Sequence, residues 1–382
     1  MATPIDRPLD LAAVRKLVRR FPVTAILGER QSGKTTLARH LAVDHAFDLE
    51  NPRDQARLRQ PQLALEELRG TIVLDEIQRM PELFPLLRVL ADARPGRRFV
   101  ILGSASRDLI RQGSESLAGR IAFFYLHGFR VPDVGRRAVR RLWLRGGLPP
   151  SFTARGDDAS FQWREQYVAT FLERDIPQLG IGIPAATLRR FWTMLSHYHG
   201  QVLNQSELAR SFGISDMTVR RYVEILAGTF MVRLLPPWHA NLGKRQIKSP
   251  KIYLRDSGLA HYLWSVRSER ELLGHNKLGA SWEGFALEQT VRHLGLAPEE
   301  VFFWGTHAGA ELDLLWRRGG RSFGAEFKYA DAPRLTRSMR AARADLGLAH
   351  LWVVYPGDTL IRLERDVTAV PLADLGKKLK PG

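Results

Sequence analysis

The stretch "GERQSGKTTLARHL", which begins at Gly28, places a second glycine at Gly33 directly before Lys34 and Thr35. Small residues at this spacing let backbone N–H groups curl around phosphate oxygens, a lysine neutralises the β and γ oxygens, and a hydroxyl ligates magnesium. Gly28, Glu29, Arg30, Gln31, Ser32, Gly33, Lys34, Thr35 and Thr36 are therefore the expected nucleotide-binding segment, with ATP and Mg2+ as cofactors. "GTIVLDEIQRMPEL" supplies the complement: an apolar run delivers Asp75, expected to hold the metal with Thr35, and Glu76, expected to polarise the attacking water. A further run, "FVILGSAS", ends in Ser104, placed to touch the γ-phosphate or that water. Arg120 in "ESLAGRIAFFYL" has two readings: it reaches a phosphate of its own site or a neighbouring subunit's, or it caps a helix C-terminus.

A second constellation lies in "GAELDLLWRRGGRSFGAEFKYA", residues 309–330. A two-residue turn at Gly319-Gly320 pairs Trp316 with Phe323, Leu314 with Ala325 and Leu312 with Phe327, so one side of the hairpin is expected to be apolar. On the other side Asp313 faces Glu326, and Glu311 faces Lys328. Directly opposed carboxylates repel, and a divalent cation would remove the objection. The lysine could then position a hydroxide or stabilise a charged transition state. Glu283 shares a helical stripe with Leu287, Thr290 and Leu294 and is the candidate third acid. Glu288 aligns with Arg292 at i, i+4 as a surface ion pair. The competing reading of the hairpin is a solvated charged surface.

The elements that must position these groups can be read from pattern. Apolar runs at Val23–Leu27, Ile72–Leu74 and in "FVILG", each ending in a polar residue, are the strands of an open α/β sheet with a site along one edge. "NQSELARSFGISDMTVRRYVEIL" alternates as two helices about Gly213, with Ser206 and Ser215 as candidate N-caps. Two strand-like runs around a basic loop follow it, the sequence shape of a winged helix. Thr218, Arg220 and Arg221 are then the expected groove contacts, and Lys244, Arg245, Lys248 and Lys251 the expected phosphate contacts. Winged helices also serve as packing modules, so DNA contact by this element is one of two readings.

The formal net charge of +17 favours a polyanionic partner, although only ten of the 57 basic residues are lysine, as an arginine-rich composition alone would give. No cysteine is present, which excludes a disulfide framework, a thiolate nucleophile and a Cys-ligated zinc site. No run approaches a bilayer-spanning length, and the N-terminus lacks the features of a cleaved leader, so the expectation is a cytoplasmic protein without membrane contact.

With these residues in hand, the chain resembles the bacterial and archaeal AAA-type P-loop ATPases that carry a C-terminal domain of unknown function. The resemblance rests on "GERQSGKTTLARHL", "IVLDEIQRMPELF", "ILGSAS" and "LAGR", and later on "FLERDI", "KSPKIYLRDSGLA", "WEGFALEQ" and "ELDLLW" with "AEFK". It implies an α/β architecture in three parts: a P-loop NTPase domain with an AAA/RecA-like parallel sheet over residues 1–155, a helical and winged-helix domain over 156–262, and a restriction-endonuclease-like, or PD-(D/E)xK, domain over 263–382. In that fold Asp313 stands for the metal aspartate, and Glu326 and Lys328 for the ExK pair. The proline that often precedes the aspartate is absent, because the tripeptide here is Glu311-Leu312-Asp313. DNA, duplex or branched, is the implied partner, with homo-oligomerisation if Arg120 acts in trans.

Overall fold

The structure is a computed structural model that describes residues 5–93, 96–104, 115–238 and 248–379. Two compact units are formed, Met1–Gly128 with Gly228–Phe230, and Phe129–Ala227 with Met231–Gly382.

In the first unit, β1 (Val23–Gly28), β2 (His45–Asp48), β3 (Thr71–Asp75), β4 (Arg98–Ser104) and β5 (Ile121–Tyr125) make a sheet in the order β2-β3-β4-β1-β5. Every pairing is parallel. Such a sheet needs cover on both faces, and β1 shows how the sequence supplies it. Val23, Ala25 and Leu27 join a cluster with Phe84 and Leu87, whereas Ile26 joins another with Val14 and Leu37. Because β4 lies between β1 and β3, Gly28 is in register with Ser104, and the loops after β1 and β3 open along the same edge.

The second unit carries helix Ala185–Ser196, β6 (Gln201–Val202), helices Gln205–Phe212 and Asp216–Gly228, β7 (Val232–Leu235) and β8 (Lys251–Leu254). The three strands pair antiparallel in the order β6-β8-β7. Asn204 rather than Ser206 caps the first helix of the pair, its side chain accepting from the Glu207 N–H. Ser206 donates instead to Asp216 at 2.7 Å, and Ser215 accepts from the Thr218 N–H at 3.2 Å.

Helix Leu278–Leu294 then leads into β9 (Val301–Gly305), β10 (Glu311–Arg318), β11 (Arg321–Phe327), helix Arg337–Leu346, β12 (Leu348–Tyr355), β13 (Ile361–Glu364) and β14 (Val367–Pro371), in a mixed sheet ordered β13-β14-β12-β11-β10-β9. The separate middle and C-terminal domains drawn from sequence share one packing unit, which begins at Phe129. The reason is visible in its aromatic contacts. The Trp143 ring lies 5.3 Å from that of Trp282, its Nε1–H donates to Ser281 Oγ at 2.9 Å, and the Trp238 N–H beyond β7 donates to the Phe303 carbonyl on β9 at 2.6 Å.

The hairpin turns where the sequence predicts, with Gly319 at φ 56° and Gly320 at φ 75°, the conformation a two-residue turn of this hand requires. Leu314 pairs with Ala325 and Trp316 with Phe323. Beyond Leu314 the regular ladder gives way. Against β9, β10 shifts register between Leu312 and Leu315, and the Phe327 N–H donates to the Asp313 carboxylate at 3.0 Å instead of to a ladder carbonyl. The expected grouping of Leu312 with Leu314 and Trp316 is therefore corrected. Leu312 packs with Leu315, Met339 and Leu351, because an irregularity in the strand re-aims the side chains that follow it.

Candidate functional site

The turn after β1 builds the first site. A Cβ on Gly28 would lie 1.9 Å from the Leu126 carbonyl oxygen, so only glycine lets the loop pass, and Gln31 at φ 59° and Gly33 at φ 96° complete its curl. Lys34 opens the next helix and is buried, its ammonium donating to the carbonyls of Gly28 at 3.0 Å and Glu29 at 2.9 Å. Burial holds its pKa below the ordinary lysine value, opposed by the charges of Glu76, Glu29 and Asp75. A phosphate arriving at the loop would favour the charged form. Thr35 Oγ1 donates to Asp75 Oδ2 at 2.7 Å, bringing together a hydroxyl and a carboxylate, hard oxygens of the kind that could hold magnesium.

Glu76 sits at φ 57°, a left-handed conformation that costs a non-glycine residue of order 1–3 kcal/mol and persists where surrounding structure imposes it. Burial raises its carboxyl above the usual range, against the pull of Lys34, and the Gln78 amide donates to it. Exposed Thr35 and Thr36, half-buried Arg30 and exposed Gln31 line the loop's outer side, while Glu29 and Ser32 are buried. The Ser104 side chain lies outside the described residues.

Two contacts escaped the sequence reading. Arg7 donates to the carbonyls of Ser32 at 3.0 Å and His127 at 2.7 Å while paired with Asp10 at 2.8 Å, and the His127 ring meets Glu29 at 2.9 Å. Arg7 and His127 thus brace the phosphate loop from distant parts of the chain, for which no local spacing gives a signal.

Arg120 requires a correction. Its carbonyl accepts from the Val23 N–H, at the start of β1, so it stands at the opposite edge of the sheet from Gly28, roughly 16 Å of strand away. It forms a two-pronged ion pair with Asp92 at 2.6 and 2.8 Å. A residue that precedes a parallel strand cannot share an edge with residues that follow one, so the in-site reading of Arg120 does not hold.

The second constellation lies in the second unit. Lys251, placed by sequence in a basic wing, is buried at the start of β8. Its ammonium lies 3.4 Å from both Glu283 Oε1 and Asp313 Oδ1 and contacts Glu311. It is not available to a phosphate, which corrects the wing reading for this lysine. Tyr253, two residues along the strand, donates its hydroxyl to Glu283 at 2.6 Å. Glu326 pairs with Lys328 at 2.8 Å, so Glu311 takes Lys251 and not Lys328 as its partner. Lys248 is exposed, and Lys244 and Arg245 lie outside the described residues. Glu288 is buried and paired with Arg233 and Arg255, not displayed with Arg292 on a surface, because its helix is covered along most of its length.

Burial, then repulsion from Asp313, raises Glu283 to about 7 and Glu326 to about 8. Burial works against the charge on Lys251 and on Lys328, but the surrounding acids overcome it and both are raised. Since the folded form holds protons that unfolded carboxyls release near 4.5, stability from these two acids falls as pH rises from there through about 8. All nine tryptophans fall in the second unit, so their fluorescence follows its unfolding. The urea midpoint should drop over that pH range, and Glu326→Gln should flatten the drop; an unchanged slope would contradict the assignment.

Residues 20–134 match a family described as an AAA domain, 136–270 match a domain of unknown function (DUF8612), and 278–375 match another (DUF4143). Over 372 residues the chain is 52% identical to the uncharacterized protein Rv2008c of Mycobacterium tuberculosis (strain ATCC 25618 / H37Rv), covering 96% of this chain and 84% of that one. The same values hold for the uncharacterized protein Mb2031c of Mycobacterium bovis (strain ATCC BAA-935 / AF2122/97). Among solved structures, the Walker-type ATPase paby2304 of Pyrococcus abyssi aligns with a TM-score of 0.49 at 14% identity, over 68% of this chain and 96% of that chain. Among the described residues, no helix is long and apolar enough to cross a membrane.

Proposed function

We propose that this chain, which belongs to the family of the mycobacterial proteins Rv2008c and Mb2031c and matches an AAA domain over residues 20–134, is a magnesium-dependent ATPase that acts on DNA. One observation carries the ATPase reading: Lys34, the hydrogen-bonded pair Thr35–Asp75 and the strained Glu76 converge at one edge of a parallel sheet. Thr35 and Asp75 would hold magnesium, which when bound neutralises charge on the phosphate oxygens. Lys34 would exchange its carbonyl partners for those oxygens, and Glu76 would orient the attacking water and accept its proton.

The DNA half of the proposal rests on the second unit. Helix, strand, two helices and two strands in sequence, with β8 between β6 and β7, support a winged helix. On its second helix Arg220 and Arg221 are exposed, and Thr218 is half-buried beside Ser215. The order of helix, antiparallel β9-β10-β11, helix and parallel β12 supports the nuclease-like fold of the C-terminal part.

DNA affinity should fall in Arg220→Ala and in Arg221→Ala, and each change should lower the slope of log affinity against log salt by about one, read by fluorescence anisotropy on duplex and four-way DNA. Unchanged affinity and slope in both would remove this helix from the DNA account. The rival reading is a nucleotide-switched protein that binds a partner protein through a non-cutting C-terminal domain. It is favoured by one observation: the Lys251 ammonium already lies among Glu283, Glu311 and Asp313.

A further inference from the structure

We infer that Lys251 is the resident cation of the acid cluster, so that the C-terminal hairpin holds its carboxylates together with a charge from its own chain and takes no divalent metal there. The nuclease-like resemblance implies a metal on Asp313, and the residues present do not fit one. Magnesium requires six oxygen ligands at roughly 2.0–2.1 Å in octahedral order, several of them waters. Here the space between Glu283, Glu311 and Asp313 is filled by the Lys251 ammonium, whose side chain is 3% exposed and whose nitrogen lies 5.7 Å from the centre of the Phe303 ring.

Groups of the same chain also engage the acids around it. Asp313 Oδ2 accepts from the Phe327 N–H, Glu283 accepts from Tyr253, and Glu326 turns to Lys328. The arrangement is built into β8: Lys251 and Tyr253, two residues apart, share a face of the strand and deliver a cation and a hydroxyl to the same acid. Acids that would gather around a metal in a cutting enzyme are thus satisfied by an internal ion network. It ties the strand of the three-stranded sheet to the hairpin, and the assignment stands whether or not ATP is hydrolysed.

The test is Mn2+ binding to the full chain by electron paramagnetic resonance without nucleotide, in an Asp75→Asn background that silences the N-terminal pair. The expected result is the same Mn2+ occupancy with Asp313→Asn or Glu326→Gln added as without, and no manganese-dependent strand cleavage. One equivalent of Mn2+ that either substitution removes, with tryptophan fluorescence showing the variant folded, would overturn the inference.

Discussion

Glu76→Gln lowers the turnover of ATP hydrolysis by about 10²–10⁴-fold, the range set by removing a positioned general base. The substitution keeps the shape of the side chain and an oxygen to accept a hydrogen bond, but loses the group that takes the proton. Because Lys34, Thr35 and Asp75 are untouched, ATP affinity should stay within a few-fold of the native value. Burial lifts the Glu76 carboxyl above its usual range, so hydrolysis should also fall on the acid side as that group protonates, at a higher pH than an ordinary glutamate would give. Single-turnover hydrolysis alongside equilibrium binding of a fluorescent ATP analogue separates the two effects. Equal loss of binding and turnover would assign Glu76 to holding the loop rather than to the water.

The second large effect is on stability. Lys251→Met replaces a buried ammonium by a thioether of similar length and leaves Glu283, Glu311 and Asp313 facing one another without a cation. Removing one partner of a buried ion network costs roughly 3–5 kcal/mol, because the buried Glu283 and Asp313 lose the charge that compensates them. The loss should be smaller at acid pH, where the carboxyls can bind protons, and larger at alkaline pH. Tryptophan fluorescence during urea unfolding reads this directly, since every tryptophan belongs to the unit that holds the cluster. A change of less than about 1 kcal/mol would place Lys251 among surface ion pairs, which contribute that little.

The nucleotide site was legible because its chemistry is local. Gly28 to Thr35 is one turn, Asp75 and Glu76 end one apolar run, and the β2-β3-β4-β1-β5 order then sets those two stretches along a single edge. Arg120 was misread for want of topology: it precedes its strand, and in a parallel sheet that places it at the far edge. The hairpin register followed from Gly319-Gly320, but the irregularity near Asp313 depends on β9, a partner that hairpin spacing does not include. Lys251 was hidden by distance. Its acids lie 32 and 62 residues further along, and a basic loop beside it made an exposed wing the natural expectation. One signal was available: "KIYL" starts a strand with Lys251 and Tyr253 on one face, which is unusual for a residue meant to face solvent. Arg7 and His127 had no such signal, because they meet the phosphate loop from the two ends of the first unit.

The central claim, a P-loop ATPase that acts on DNA, is tested most directly by steady-state ATP hydrolysis with magnesium at low salt, with and without linear and four-way DNA, for the native chain and Lys34→Ala. Turnover in the native chain should rise with DNA and be lost in Lys34→Ala. Native turnover no greater than that of Lys34→Ala, or unaffected by either DNA, would contradict it.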